Sequence, residues 1–155
     1  MIVVGDTGPL NYLLSIGQGD VLPSLFSRVV IPRAVAAELS SARAPEVVRR
    51  WIENPPPWLD IQPDPPDDGT LSALDSGERS AIALALLIKA PQILMDDMDG
   101  RIEAERRNLK VTGTLGILVE AHRRGLLDFD SALARPSGTS FYVSPRLVDM
   151  VRRLL

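Results

Sequence analysis

The sequence predicts an α/β fold in which a central, mainly parallel sheet is covered by helices on both faces. Two observations carry this. Several short runs are apolar at consecutive positions, without the polar alternation of a half-solvated strand, so they read as strands buried on both sides. Between them lie longer segments whose apolar residues recur at helical spacing, and strands alternating with helices build a three-layer sandwich. A third observation bounds the size: 155 residues with 45% apolar content make one domain (residues 1–155) with a core large enough to need no staple.

The elements follow in order. Ile2 to Val4 is a buried strand opening into Asp6-Thr7-Gly8-Pro9. Leu10, Leu13 and Leu14 have helical spacing, Gly17 and Gly19 interrupt, and Val21 to Phe26 forms a second short helix. Val29 to Ile31 is a strand, and Pro32 is placed as the first residue of a helix carrying Val35, Ala36, Glu38 and Leu39. Glu46 to Ile52 is a short helix that stops at the triple proline Pro55 to Pro57. The Pro- and Asp-rich stretch from Asn54 to Gly69 is a surface connection containing a short strand at Trp58 to Ile61. Asp75 begins a strong helix, Glu78 to Lys89. Ile93 to Met95 is a strand, Arg101 to Leu109 a helix, Lys110 to Thr112 a strand, and Leu115 to Arg124 a helix. Asp128 to Arg135 is helical, Tyr142 to Val143 reads as a short strand, and Pro145 to Leu155 is a last helix. Leu147, Val148, Val151 and Leu154 share one side of it, and an exposed apolar face there predicts self-association.

Composition removes several function classes. There is no cysteine, hence no disulfide framework and no thiolate metal site, and a reducing cytoplasm is the expected home. The N-terminus lacks the basic start of a secretory signal. The longest apolar run, Ala81 to Ile88, is far too short for a membrane span. The net charge of −3 argues against binding nucleic acid by bulk positive charge, although 15 of the 17 basic residues are Arg, the side chain suited to bidentate phosphate contact.

The chemistry lies in the acids. In a parallel sheet ligands bind outside the carboxyl ends of the strands, at a switch in strand order. Asp6 and Asp96, with Asp97 next to it, stand where apolar strands end. Glu38 lies in an otherwise apolar helical turn, and Glu78 precedes an Ala-rich buried helix. A carboxylate beside a core is costly to ionise unless it is paired or bound to metal. An oxygen-only ligand set suits Mg²⁺ or Mn²⁺, whereas one His and no Cys disfavour zinc. Each acid has a second reading. Asp6 is placed to cap the helix after it, Glu38 to be solvated, Asp75 and Glu78 to form a capping box, and Asp96 or Asp97 to cap the next helix. His122 and the tryptophans Trp51 and Trp58 read as structural, and Thr114 as a helix cap in the turn Thr112-Gly113-Thr114-Leu115-Gly116. That turn is no P-loop, lacking the Lys-Ser/Thr pair.

These pieces, taken in order, resemble the PIN domains, the fold of the VapC-type toxin ribonucleases. The matching segments are Val4-Gly5-Asp6-Thr7-Gly8-Pro9-Leu10, Val30-Ile31-Pro32 through Ala37-Glu38-Leu39, Leu74-Asp75-Ser76-Gly77-Glu78 through Ala81-Ile82-Ala83, Leu94-Met95-Asp96-Asp97 with Gly100-Arg101, and Val111 to Gly116. The Gly-Glu and Thr-Gly-Thr-Leu-Gly pieces are closer to an under-characterised bacterial and archaeal branch than to typical VapC toxins. The resemblance implies a PIN-like three-layer α/β/α sandwich and RNA hydrolysis with Mg²⁺ or Mn²⁺. Asp6, Glu38, Glu78 and Asp96 would be the catalytic metal ligands, and Asp97 the reserve for the fourth position. Glu78 stands where many relatives carry aspartate. A cognate antitoxin and a homodimer are implied in the same way.

Two other functions compete with a toxin ribonuclease. One is a PIN-like module that binds RNA or a protein without cutting. The other is phosphoryl transfer through Asp6, which is disfavoured because Gly8 stands where such hydrolases place a second Asp, and because a receiver domain needs an acidic pair at the first strand.

Overall fold

The computed structural model describes residues 1–155. Five strands form one sheet: β1 (Ile2–Gly5), β2 (Arg28–Pro32), β3 (Leu59–Gln62), β4 (Gln92–Leu94) and β5 (Lys110–Thr112), in the order β3-β2-β1-β4-β5. Every neighbouring pair is parallel, with Val3 opposite Val29, Gly5 opposite Leu94 and Ile93 opposite Val111. Val3, Val4, Val29, Ile31, Ile93 and Leu94 are buried, so the central strands are covered on both faces, as their unbroken apolar runs require.

Nine helices surround the sheet: α1 (Thr7–Ser15), α2 (Val21–Leu25), α3 (Arg33–Leu39), α4 (Glu46–Glu53), α5 (Ser76–Leu87), α6 (Met98–Arg106), α7 (Thr114–Arg123), α8 (Phe129–Ala134) and α9 (Pro145–Arg152). α5 lies against β1, β2 and β4, with α3 and α6 beside it, while α1 meets α3, α4 and α7. The shared core includes Leu10, Leu13, Leu22, Leu39, Ile82, Leu84, Ile117 and Phe129. Each large aliphatic buried there contributes about 1.5–3 kcal/mol of transfer free energy.

Strand order reverses at β1. The chain steps outward through β2 and β3, then crosses by α5 to the other side of β1 for β4 and β5. The adjacent loops at the carboxyl ends of β1 and β4 therefore part in opposite directions and leave a crevice between them. The amide of Asp6 still donates to the Leu94 carbonyl at 2.9 Å, so this residue begins at the sheet's end and faces that crevice.

Several local expectations change. Tyr142–Val143 joins no sheet; residues 135–144 form a strap between α8 and α9. Pro32 ends β2 and stands at the N-cap of α3, so the helix starts at Arg33. The irregular stretch has a use: the Asp64 carboxylate accepts from the Ala34 amide at 2.9 Å and so caps α3 from outside. Trp51 and Trp58 pack together with ring centroids 5.7 Å apart and lie against the core. His122 is structural, its Nδ1 accepting from the Phe129 amide at 3.0 Å. On α9, Val148 and Val151 pack against the domain itself, while Leu147 and Leu154 remain exposed. No helix is long and apolar enough to cross a membrane.

Candidate active site at the carboxyl ends of the sheet

Asp6 follows β1 at the N-cap of α1, yet its side chain makes no capping bond. It is 6% exposed, in a molecule whose only other buried acid is Glu78. Burial pushes the Asp6 carboxyl up from 3.8 to about 8; the Thr7 amide offsets part of this, and the charges of Glu38, Glu78 and Asp75 add to it. Burial likewise raises Glu78 to about 7, with the charges of Asp75 and Asp97 contributing. Acids held this far above their ordinary range have lost water and have no basic side chain paired to them.

The neighbours are held by their own partners. Glu38, on α3, accepts a short hydrogen bond from the Thr7 hydroxyl, which fixes its direction across the start of α1. It also lies over Gly77 at the start of α5, and a β-carbon there would collide with the Glu38 carboxylate. Asp75 caps α5 by accepting from the Glu78 amide at 2.9 Å. This is half of a capping box. The other half comes from the Glu78 carboxyl, which turns back to the Asp75 amide and also meets the Asp75 side chain, with the charge of Asp97 beyond.

Asp96 and Asp97 divide their roles. Asp97 caps α6, accepting from the Gly100 amide at 3.2 Å, and is exposed. Asp96 does not cap that helix. Its Oδ1 accepts from the Thr114 amide at 2.7 Å and its Oδ2 from the Thr114 hydroxyl at 2.5 Å. Thr114 is fully buried and Gly113 holds the cap position of α7, so the expected capping role of Thr114 gives way to one of orienting Asp96. Asp96 stands close to α1 as well: a β-carbon on Gly8 would lie 3.3 Å from its Oδ2.

The acids predicted from sequence thus fall into two sets. Asp6, Glu38 and Glu78 share one electrostatic neighbourhood, which Asp75 joins and Asp97 reaches through Glu78. Asp96 stands across Gly8, tied to Thr114. No three acidic side chains are drawn close enough to hold a cation by themselves. Thr7, Thr114 and Asp75 are the supporting residues that reading the acids alone missed; only the hydroxyl following Asp6 and the Asp75-to-Glu78 spacing hinted at them.

The donor set fits a hard dication. Mg²⁺ is usually held by one or two carboxylates together with waters and substrate phosphate oxygens, rather than by a closed protein cage. A buried, unpaired Asp6 flanked by further acids is that kind of half-shell. The largest cleft on the molecule, about 910 Å³, begins at Asp96 and Gly8. A second cleft, about 470 Å³, between α5 and the Asp64–Leu71 segment touches none of these acids.

This is a parallel α/β domain with carboxylates set where its strand order reverses, the place where such sheets bind their ligands. The chain belongs to the PIN-domain family: a family model described as a PIN domain matches residues 2–155. PIN domains are generally nucleases and typically use divalent metals. Among solved structures, the chain is similar to a PilT N-terminus domain protein from the hyperthermophilic archaeon Sulfolobus solfataricus P2. That likeness has 14% identity and a TM-score of 0.51, covers 88% of this chain and 97% of that one, and shows a shared fold. No curated protein matches the sequence.

Proposed function

We propose that this PIN domain is a divalent-metal-dependent endoribonuclease and the toxin half of a toxin–antitoxin pair. The observation that carries the nuclease reading is Asp6: a buried carboxylate with no basic side chain paired to it, at the strand-order switch, with Glu38, Glu78 and Asp75 around it. Asp6 is the central ligand in this reading. Glu38, aimed by Thr7, and Glu78 complete one side, and Asp96, aimed by Thr114, holds the other. Asp97 serves the helix cap and adds negative charge from outside. A bound Mg²⁺ or Mn²⁺ would supply Lewis-acid polarisation of the phosphodiester and activation of water. The protein's part is to keep the acids in fixed directions, so that little reorganisation accompanies reaction. The toxin role, a cognate antitoxin and a homodimer rest on the likeness of the motifs to VapC-type toxins; self-association through α9 rests on its exposed Leu147 and Leu154, and a cytoplasmic location on the lack of cysteine.

The test is cleavage of a mixed-sequence single-stranded RNA by purified protein in Mg²⁺, Mn²⁺ or EDTA, with Asp6→Asn and Asp96→Asn beside the wild type. Cleavage is expected to require the dication and to fall ~10²-fold or more in either variant. Wild-type protein that binds RNA but shows no metal-stimulated cleavage would make this a silent RNA-binding module instead. For the toxin role, induced expression should arrest growth and Asp6→Asn should relieve the arrest; growth unaffected by the wild type would remove that role.

A further inference from the structure

A third cleft, about 390 Å³, opens where α8, α9 and the strap between them meet α1. Its size lies within the ~300–1,000 Å³ of small-molecule sites. Leu133, Phe141, Val143 and Val148 give it an apolar wall. The strap is anchored beside it: Arg135 donates from Nη1 to the Ile16 carbonyl at 2.7 Å, Ser137 and Thr139 join their hydroxyls at 3.0 Å, and Phe141 packs on Tyr12 of α1 with ring centroids 4.6 Å apart. None of the acids at the strand-order switch lines this cleft.

Tyr12 supplies an uncommitted polar group. It is 4% exposed, and the part left uncovered borders this cleft. Burial alone raises its phenol above the ordinary 10.0, with no hydrogen bond entering, so the hydroxyl stays protonated and is a donor without an acceptor. Buried donors in folded proteins are almost always satisfied, so one that faces a cavity calls for something in the cavity to accept from it. The charges in the lining are also uneven. Arg152 is taken by Asp130 at 2.6 Å and by Asp149 at 3.2 Å. Arg135 forms no ion pair; one end of its guanidinium holds the Ile16 carbonyl, one helical turn beyond Tyr12, and its charge is unanswered. An apolar wall, a free phenol donor and an unpaired guanidinium therefore border one space. A carboxylate accepts from both donors and matches the fork of an Arg.

We propose that this cleft is a binding site for a small carboxylic acid with a ring-sized apolar body, its carboxylate held by Arg135 and the Tyr12 hydroxyl and its body laid on Leu133, Phe141 and Val148. The site is separate from the acidic centre and does not depend on the ribonuclease reading. A neutral apolar molecule would leave both donors unanswered, and a cation would meet Arg135 with like charge. Tyr12 belongs to α1, whereas Arg135 and Phe141 stand at the two ends of the strap. A bound acid thus bridges the strap to α1 and holds it down.

The test uses the full chain, with 3-phenylpropionate as the probe and its neutral amide, 3-phenylpropanamide, as the control, titrated by ligand-observed NMR. The acid should bind saturably with Kd ~1 mM or tighter, as suits so small a molecule, and the amide at least ~10-fold more weakly. Tyr12→Phe keeps the ring on Phe141 and removes only the hydroxyl; it should weaken the acid ~10-fold, the worth of one hydrogen bond to a charged group, and melt no lower than wild type. Arg135→Gln keeps an N–H for the Ile16 carbonyl but loses the charge, and should weaken the acid ~10-fold while leaving the amide unaffected. Ala134→Trp, at the exposed end of α8, should fill the cleft and abolish binding. Amide hydrogen exchange over residues 137–143 should slow when the acid is bound. No saturable binding by the wild type, equal affinity for acid and amide, or full affinity in Tyr12→Phe or Arg135→Gln would overturn the assignment, and so would strap exchange that the acid leaves unchanged. A dimeric wild type that binds no probe, beside a monomeric Ala134→Trp, would also overturn it and make a second copy of the chain the occupant.

Discussion

Replacing Asp6 by Asn should make the metal-free protein more stable, and more so as pH rises. The folded carboxyl sits at about 8 against an ordinary value of 3.8, so the folded chain holds a proton that the unfolded chain releases. This group's contribution to stability is therefore complete below about pH 4 and is lost as pH climbs through about 8. At about 1.36 kcal/mol per pH unit, the gap amounts to roughly 5 kcal/mol at pH 8 as an upper bound. Asn stays neutral at every pH but brings an amide needing a partner, which costs about 1–3 kcal/mol if none is found. A net gain of about 2 kcal/mol at pH 8 is expected, equivalent to a melting temperature higher by about 4–8 °C in a domain of this size. At pH 5 the wild-type carboxyl is protonated, so the gain should vanish or change sign. Saturating Mg²⁺ should also reverse the order at pH 8, because binding at a hundredfold over Kd stabilises the wild type by about 2.7 kcal/mol. The assay is thermal unfolding of both proteins in EDTA and in Mg²⁺ at the two pH values. A difference between the proteins that is independent of pH would refute the reasoning, because it would show that the charge on Asp6 is not what the fold tolerates.

Glu78→Gln should lower Mn²⁺-dependent RNA cleavage ~10²-fold while leaving the melting temperature in EDTA equal or higher, since one of several clustered charges is removed; unchanged cleavage would leave Glu78 only a helix residue. Gly77→Ala inserts a methyl group where the Glu38 carboxylate lies, so metal affinity measured by calorimetry should fall although Ala favours the helix by about 1 kcal/mol; intact metal affinity would show that Glu38 is no ligand. Thr114→Val keeps the shape but removes the donor to Asp96 Oδ2, and cleavage should drop ~10-fold, as for other supporting ligand partners, with Thr114→Ser restoring most of it. Equal rates for Val and Ser at that position would show that Thr114 only fills space.

The sheet was legible because its strands are apolar on both faces and short enough to be punctuated by proline, glycine and acid. Ile2–Val4, Val29–Ile31, Trp58–Ile61, Ile93–Met95 and Lys110–Thr112 all fall within a residue of the observed strands. Tyr142–Val143 has the same composition as a strand end, but it pairs with neither edge strand, β3 or β5, and Phe141 is claimed by Tyr12. The acids were legible as candidates because carboxylates beside apolar runs need a reason. Which oxygen answers to which donor was not. The Thr7–Glu38 bond joins α1 to α3, and the Asp96–Thr114 bonds join the end of β4 to the start of α7; neither pairing leaves a mark on local sequence. Local spacing did place the capping box, with Asp75 accepting from the Glu78 amide and the Glu78 carboxyl turned back to the Asp75 amide; the burial of Glu78 beside Asp6 left no mark on that spacing.

The central place of β1 has a consequence for how the molecule comes into being on the ribosome. β1, β2 and β3 lie side by side and emerge in that order, so half of the sheet can pair early. The register partner of Gly5 on the other side is Leu94, which leaves the exit tunnel only after α5 has followed. Until then β1 has one open edge and Asp6 faces water, where a carboxylate is at ease. Docking of β4 closes that edge and desolvates Asp6 in the same event, so the step that completes the sheet also creates the electrostatic burden of the site. A divalent cation that binds the acids would favour the late closure over the early half-sheet.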